Sequence, residues 1–350
     1  LEAKVLIKFK KENLLFLLFY LILLYLPLFS QKRSKELLWP LPPEKPRIKW
    51  IAEYRTVEDI TGESKGKRFL RKLAGIKRRG LFLYPNSITK DKRGMIYVSD
   101  TAGKRIVIID FAKKKVNFWE GERIKLLSPT GLAYSEKENL VFVSDPGNNS
   151  VFAFDPIGNI TMQIKNKLTR PAGIAIDDKR ERIYVVDVNS NDIKVYNLKG
   201  EYIKTIGKRG NEIGSFNFPN YVCLDRNGNL YVVDMGNFRI QILSPQGEVY
   251  NVFGEPGKGP GSLMRPKGIA IDSENHIYVV DAWFNNVQIF DIYGRVYLSF
   301  GSPGLNPGEF LLPIGIYIDE KDYIYILDQV NKRLQIFQYI AYGEKAPLPE

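Results

Sequence analysis

The sequence predicts an all-β fold, a six-bladed β-propeller of four-stranded antiparallel blades, preceded by an N-terminal hydrophobic helix and a short basic amphipathic helix. Three observations lead there. A run of the type Ile-Tyr-Val-Val-Asp recurs six times, ending at Asp100, Asp145, Asp187, Asp234, Asp281 and Asp328. The spacings are nearly constant, at 45, 42, 47, 47 and 47 residues. Each copy also holds four short β-branched and aromatic runs separated by turn residues, which reads as four consecutive strands. Four strands in about 40–45 residues make one propeller blade.

The fifth copy shows the unit best. It runs Pro266-Lys267-Gly268-Ile269-Ala270-Ile271-Asp272, then Ile277-Tyr278-Val279-Val280-Asp281, then Val287-Gln288-Ile289-Phe290-Asp291, and ends on Val296 to Gly301. First strands open near Pro85, Pro129, Pro171, Pro219, Pro266 and Pro313. One such meander would leave two raw edges, and closing six into a ring covers most of them. The sixth copy lacks a good fourth strand after Phe337, while Ile48 to Tyr54 is strand-like and has no blade of its own. This early run is expected to supply the missing outer strand.

The motif Pro-x-Gly-Ile-Ala-Ile-Asp followed by Ile-Tyr-Val-Val-Asp and Val-Gln-Ile-Phe-Asp resembles the NHL repeat, over about Arg47 to Ile340. That resemblance implies a six-bladed propeller. The chain departs from the pattern at Ser87 and Tyr221, which stand at the glycine position, and at Cys223, where alanine is usual.

Taken in order, residues 1–30 come first. Lys4, Lys8, Lys10 and Lys11 precede an uncharged stretch from Asn13 to Ser30, mostly Leu, Phe, Ile and Tyr. A helix of that length spans about 27 Å, close to a bilayer core. It reads as a signal peptide or an uncleaved anchor. Its length and the poor cleavage signal Leu28-Phe29-Ser30 favour the anchor. Residues 31–46, with Pro40, Pro42, Pro43 and Pro46, read as an extended linker. Residues 47–340 are assigned to the propeller, with 58–80 as a basic helical insertion, and 341–350 to a C-terminal tail. In the insertion, Phe69, Leu70, Leu73 and Ile76 share one helical face among basic residues. Such a helix lies on anionic lipid, docks an acidic partner, or packs its apolar side on the propeller rim; the last is the plainer expectation.

The net charge of +12 is local. Residues 1–80 hold 19 of the 51 basic and 8 of the 39 acidic residues, which leaves 32 and 31 for the blades. The excess therefore sits where lipid headgroups could meet it, and the blades lack the electrostatic footprint of a phosphate-backbone binder. No nucleic-acid partner is expected. The placement implied is membrane-anchored and extracytoplasmic, in a bacterial or archaeal envelope.

Chemistry has few candidates. Amidating and streptogramin-type lyases, which share propeller folds of this kind, depend on histidine, and this chain has one, His276, beside a strand. Cys223 is also alone, so neither a cysteine cluster nor an internal disulfide can form. The six strand-end aspartates read as acceptors for backbone N–H groups in their turns. The second positions of the first strands, Asn86, Thr130, Ala172, Asn220, Lys267 and Ile314, should ring the channel mouth, and only the two asparagines are fair metal ligands. No cofactor is expected.

What remains is a loop face with Trp283, Phe284, Arg239, Arg265, Lys267, Asn220 and Asn86 as candidate binding residues. Aromatics beside arginines commonly anchor interfaces, although Trp283 and Phe284 could equally pack between blades. The reading is a non-catalytic scaffold for an envelope or secreted protein, with a polysaccharide as the other ligand class. The alternative is a lactonase-like, metal-dependent hydrolase with its site at the channel.

Overall fold

The computed structural model describes residues 36–41, 43–121 and 125–341, so the hydrophobic segment at 13–30 lies outside the described residues. Among the described residues, no helix is long and apolar enough to cross a membrane.

Six antiparallel sheets form six blades. In blade five the strands are Pro266–Ile271, Ile277–Asp281, Asn286–Phe290 and Val296–Phe300, from inside to outside. The second strand is wholly buried, while the outermost alternates, with Tyr297 and Ser299 facing water. That is the period-2 pattern of a strand packed on one side only. Between the third and fourth strands, Asp291 accepts hydrogen bonds from the backbone N–H groups of Tyr293 and Arg295, both at 2.9 Å, and Gly294 takes φ 81°. This Asx turn is local chemistry written in the sequence.

The inner strands of the other blades are Pro85–Lys90, Leu132–Ser135, Pro171–Asp177, Pro219–Leu224 and Pro313–Ile318. They pack backbone against backbone around the axis. A Cβ added to Gly131 would lie 2.1 Å from the carbonyl oxygen of Ala172 in the next blade, and one on Gly268 2.4 Å from that of Ile314. Close approach, not turn geometry, is what these glycines provide.

The core lies between blades. Tyr278, Val280 and Ile289 of blade five share one cluster with Ile324, Ile326 and Phe337 of blade six. Each such buried large side chain contributes roughly 1.5–3 kcal/mol. The tyrosine of the repeated motif has a polar duty as well. The hydroxyls of Tyr97, Tyr278 and Tyr325 donate to Asp91, Asp272 and Asp319 at 3.2, 3.0 and 3.1 Å. A phenylalanine would fill the same wedge and leave the carboxylate one donor short.

Blade six closes as the sequence suggests. Ile48–Tyr54 runs antiparallel to Arg333–Tyr339, and Leu38–Trp39 adds a fifth strand outside it. Trp50 Nε1 donates to Gln335 Oε1 at 3.0 Å across the seam.

The insertion is pinched at its base, where Thr56 bridges Gly80 and Val57 N donates to Arg79 O at 2.8 Å. It holds two helices, α1 (Val57–Thr61) and α2 (Lys65–Leu73). Ile60 of α1 is buried in the core beside blade one. The apolar side chains of the α2 region are not packed on the rim. Phe69, Leu70, Leu73 and Ile76 are 66, 63, 75 and 60% exposed, which corrects the plainer expectation.

Candidate functional site

The six strand-end aspartates are structural, in a way wider than a local turn. Each reaches back to the loop leading into its own blade. Asp281 accepts from Met264 N at 2.7 Å and Arg265 N at 3.2 Å; Asp145 accepts from Leu127 N and Ser128 N at 2.7 and 2.9 Å. In three blades an arginine five residues later completes the charge pair. Arg105, Arg239 and Arg333 donate through Nε to Asp100, Asp234 and Asp328 at 2.9, 2.8 and 2.7 Å.

Arg239 is anchored within its own blade. It was expected on the binding face, but its guanidinium also donates to the backbone oxygens of Glu212 and Ser215, at 2.8 and 3.0 Å. Through Nε and Nη2 it ties loop to strand.

Blade five has asparagine, Asn286, where those arginines stand. Asp281 instead fixes the turn that follows it, accepting from Trp283 N at 2.9 Å and Phe284 N at 3.2 Å. Asn285 sits at φ 55°, donates to Trp283 O, and accepts from Leu312 N of blade six at 2.7 Å. The result is a rigid turn carrying Trp283 at 64% exposure, with Phe284 half-buried beside it. Arg265 is adjacent, since its carbonyl accepts from Ala282 N at 3.1 Å, and its side chain is exposed.

Lys267 stands on the inner strand at the channel mouth and is half-buried. Burial, and secondarily the charge of Arg265, lower its pKa to about 8. No carboxylate lies within ion-pair distance of it among the described residues. A partly desolvated ammonium without a counter-ion is poised for an anion.

The two asparagines are differently placed. Asn86 is held from across the axis: Tyr221 OH donates to its backbone oxygen at 2.8 Å and to Oδ1 at 2.9 Å. Blade four is opposite blade one, so Tyr221 spans the channel. Burial pushes its phenol well above the usual range. Asn220 donates to Pro266 O at 3.3 Å, while its Oδ1 is buried without a partner. The channel itself is a cavity of about 260 Å³ lined by Ser87, Ala133, Ile174, Cys223 and Tyr317 among others. Burial raises the Cys223 thiol, which makes it a poor nucleophile. Among the described residues, no three His, Cys, Asp or Glu side chains are grouped to hold a metal ion.

His276 belongs to the opposite face. Its Nδ1 is 2.8 Å from Asp272 Oδ2, and its ring stacks on Tyr297 with centroids 5.0 Å apart. Sequence reasoning missed other exposed apolar side chains on the Trp283 face. Tyr84 and Phe218, 46 and 48% exposed, each immediately precede a first-strand proline. That position is the readable signal, because it is the last residue of a lead-in loop.

A family described as a six-bladed beta-propeller matches residues 174–240, 221–286 and 274–345. No curated protein matches the chain. Among solved structures, the chain is similar to virginiamycin B lyase from Staphylococcus aureus, at 14% identity and TM-score 0.55, covering 72% of this chain and 80% of that one. It is similar to an auxiliary nutrient binding protein from Bacteroides ovatus, at 15% identity and TM-score 0.60, covering 75% and 71%. A chain of a nidogen/laminin complex gives 20% identity and TM-score 0.54, covering 63% and 80%. Family match, structural likeness and sheet topology agree on the fold: the chain is a six-bladed β-propeller.

Proposed function

We propose that the chain is a non-catalytic, membrane-anchored, extracytoplasmic propeller of NHL-type repeats that binds an envelope or secreted protein through the face bearing Trp283. The presentation of Trp283 carries this reading. A large indole held in water on a turn braced from two blades loses little entropy on binding. Arg265 and Lys267 beside it supply charge that a partner carboxylate could answer. Likeness to a nutrient-binding protein and to a nidogen/laminin complex is in keeping with a binding role. The hydrolase alternative would need a cation at the channel, and among the described residues no three His, Cys, Asp or Glu side chains are grouped there.

The test is photo-crosslinking in the native cell with a probe at position 283, followed by mass spectrometry. One dominant protein adduct is expected, and Arg265→Ala or Lys267→Ala should abolish it. Trp283→Ala should weaken the purified complex by at least about tenfold, as for interface anchors. Silence at position 283, while a probe at Ile157 on the other face gives the adduct, would reject this face.

A further inference from the structure

We propose that the insertion is a lipid-contacting device, in which α2 lays its apolar face into the interface of an anionic membrane. This goes beyond the Trp283 reading, and its reconstitution test rests on the membrane anchor proposed above. Four large apolar side chains are 60–75% exposed: Phe69, Leu70 and Leu73 share one side of the helix, and Ile76 follows just past its C-terminal turn. Nothing in the blade covers them.

The helix is also braced to stay that way. Ser64 caps its start, accepting from Lys67 N at 3.3 Å. Arg71 donates to Glu63 at 2.6 Å, and Arg78 pairs with Asp59 at 3.0 Å and with Glu63 at 3.5 Å. Arg71 thus fastens α2 to the turn before it, while Arg78, beyond the helix, ties the returning segment to that turn and to α1, whose Ile60 is buried in the propeller core. The helix is thus tied at its start, and its apolar side chains stand in water.

Charge decides the occupant. Residues 64–79 contain eight basic residues and no acidic one. Lys67, Lys72 and Lys77 are exposed, and none has a carboxylate partner among the described residues. On the wheel, Lys67 and Lys72 flank the apolar arc on either side, which is the arrangement of helices that lie flat on anionic bilayers. Each lysine near such a surface adds favourable energy, and the attraction fades beyond a Debye length. An acidic protein would satisfy the charge. The apolar strip on one short helix, flanked by lysines, fits a planar acyl boundary better.

The site also lies on a definite side of the ring. The insertion leaves from Tyr54, opposite Leu334, next to the Asp328–Arg333 end of blade six. The equivalent end of blade five is Asp281–Asn286, which brackets Trp283. The helix and the Trp283 turn therefore emerge on the same face.

The test uses the full-length protein reconstituted in vesicles, with an environment-sensitive fluorophore on Leu73→Cys and, as control, on Ile157→Cys. Vesicles are pure phosphatidylcholine or contain 30% phosphatidylglycerol. With anionic vesicles the probe at 73 should shift to the blue and be quenched several-fold by spin-labelled lipid, and the probe at 157 should not change. The changes Lys67→Glu, Lys72→Glu and Lys77→Glu together, or 0.5 M salt, should remove most of the quenching while the protein stays in the vesicles. A probe at 73 that remains water-like on both vesicle types would overturn the proposal. So would a shift that requires added acidic protein and is absent with lipid alone. Neither result bears on crosslinking at position 283, so this idea and the Trp283 reading can fail separately.

Discussion

At the scale of single residues, charge and burial set what each side chain can do. His276 is held by Asp272 in the turn between the first two strands of blade five, and that hydrogen bond is the main cause of its raised pKa. A raised folded-state value means the imidazolium contributes stability that is fully present below the free-histidine pKa of about 6.5. The contribution is lost as pH rises through the folded value. Urea midpoints for the native protein and His276→Gln should therefore differ more at pH 5.5 than at pH 9, and a gap independent of pH would contradict the pairing. Lys267 follows the opposite logic. Burial disfavours its charge, and Arg265 adds to the effect, so an anion placed beside it would be favoured. Tyr221 replaces the small residue of its siblings and uses the space over the channel to reach Asn86 on the far side.

Within one blade, the pairing of Asp328 with Arg333 shows how strands are fastened. Arg333 is fully buried, bonds Asp328 at 2.7 Å, and also meets Glu53 on the closing strand and the backbone oxygens of Asn306 and Glu309. Its removal would leave a buried carboxylate unpaired and release the seam. Arg333→Ala should cost about 3–5 kcal/mol, read as a lowered denaturation midpoint. Strands of this kind were legible because alternation and turn residues are local. The six second strands and the closing role of Ile48–Tyr54 follow from runs a few residues long, whereas the reach of the strand-end aspartates to their lead-in loops spans 16–18 residues. The role of Arg239 was not read, although the sign was present. An aspartate and an arginine five apart, at the two ends of a tight turn, face each other across an antiparallel pair, as Asp234 and Arg239 do. The reach of Tyr221 to Asn86 was illegible for another reason. It depends on the closed circle placing blades one and four opposite each other, and no local window contains that fact. Whether Trp283 faces water or a neighbouring blade depends in the same way on which loops surround it.

For the whole molecule, stability rests on closure. Every blade leans on two neighbours, so the seam at blade six is the place where the ring can open. Deleting residues 36–56 should expose Phe337 and its neighbours, lower the midpoint of thermal unfolding, and promote association through the bare strand Arg333–Tyr339. An unchanged midpoint would show that blade six stands without its outer strand. The seam also has a history in time. Glu53 and Arg333 are 280 residues apart, and at roughly 5–20 residues per second the ribosome takes on the order of 15–55 s to make that stretch. The closing strand is thus made long before the strand it closes on. Until then the edge of Ile48–Tyr54 that will meet Arg333–Tyr339 is open, and Lys49 and Glu53 along the strand are charges that discourage a stranger from pairing in the interval.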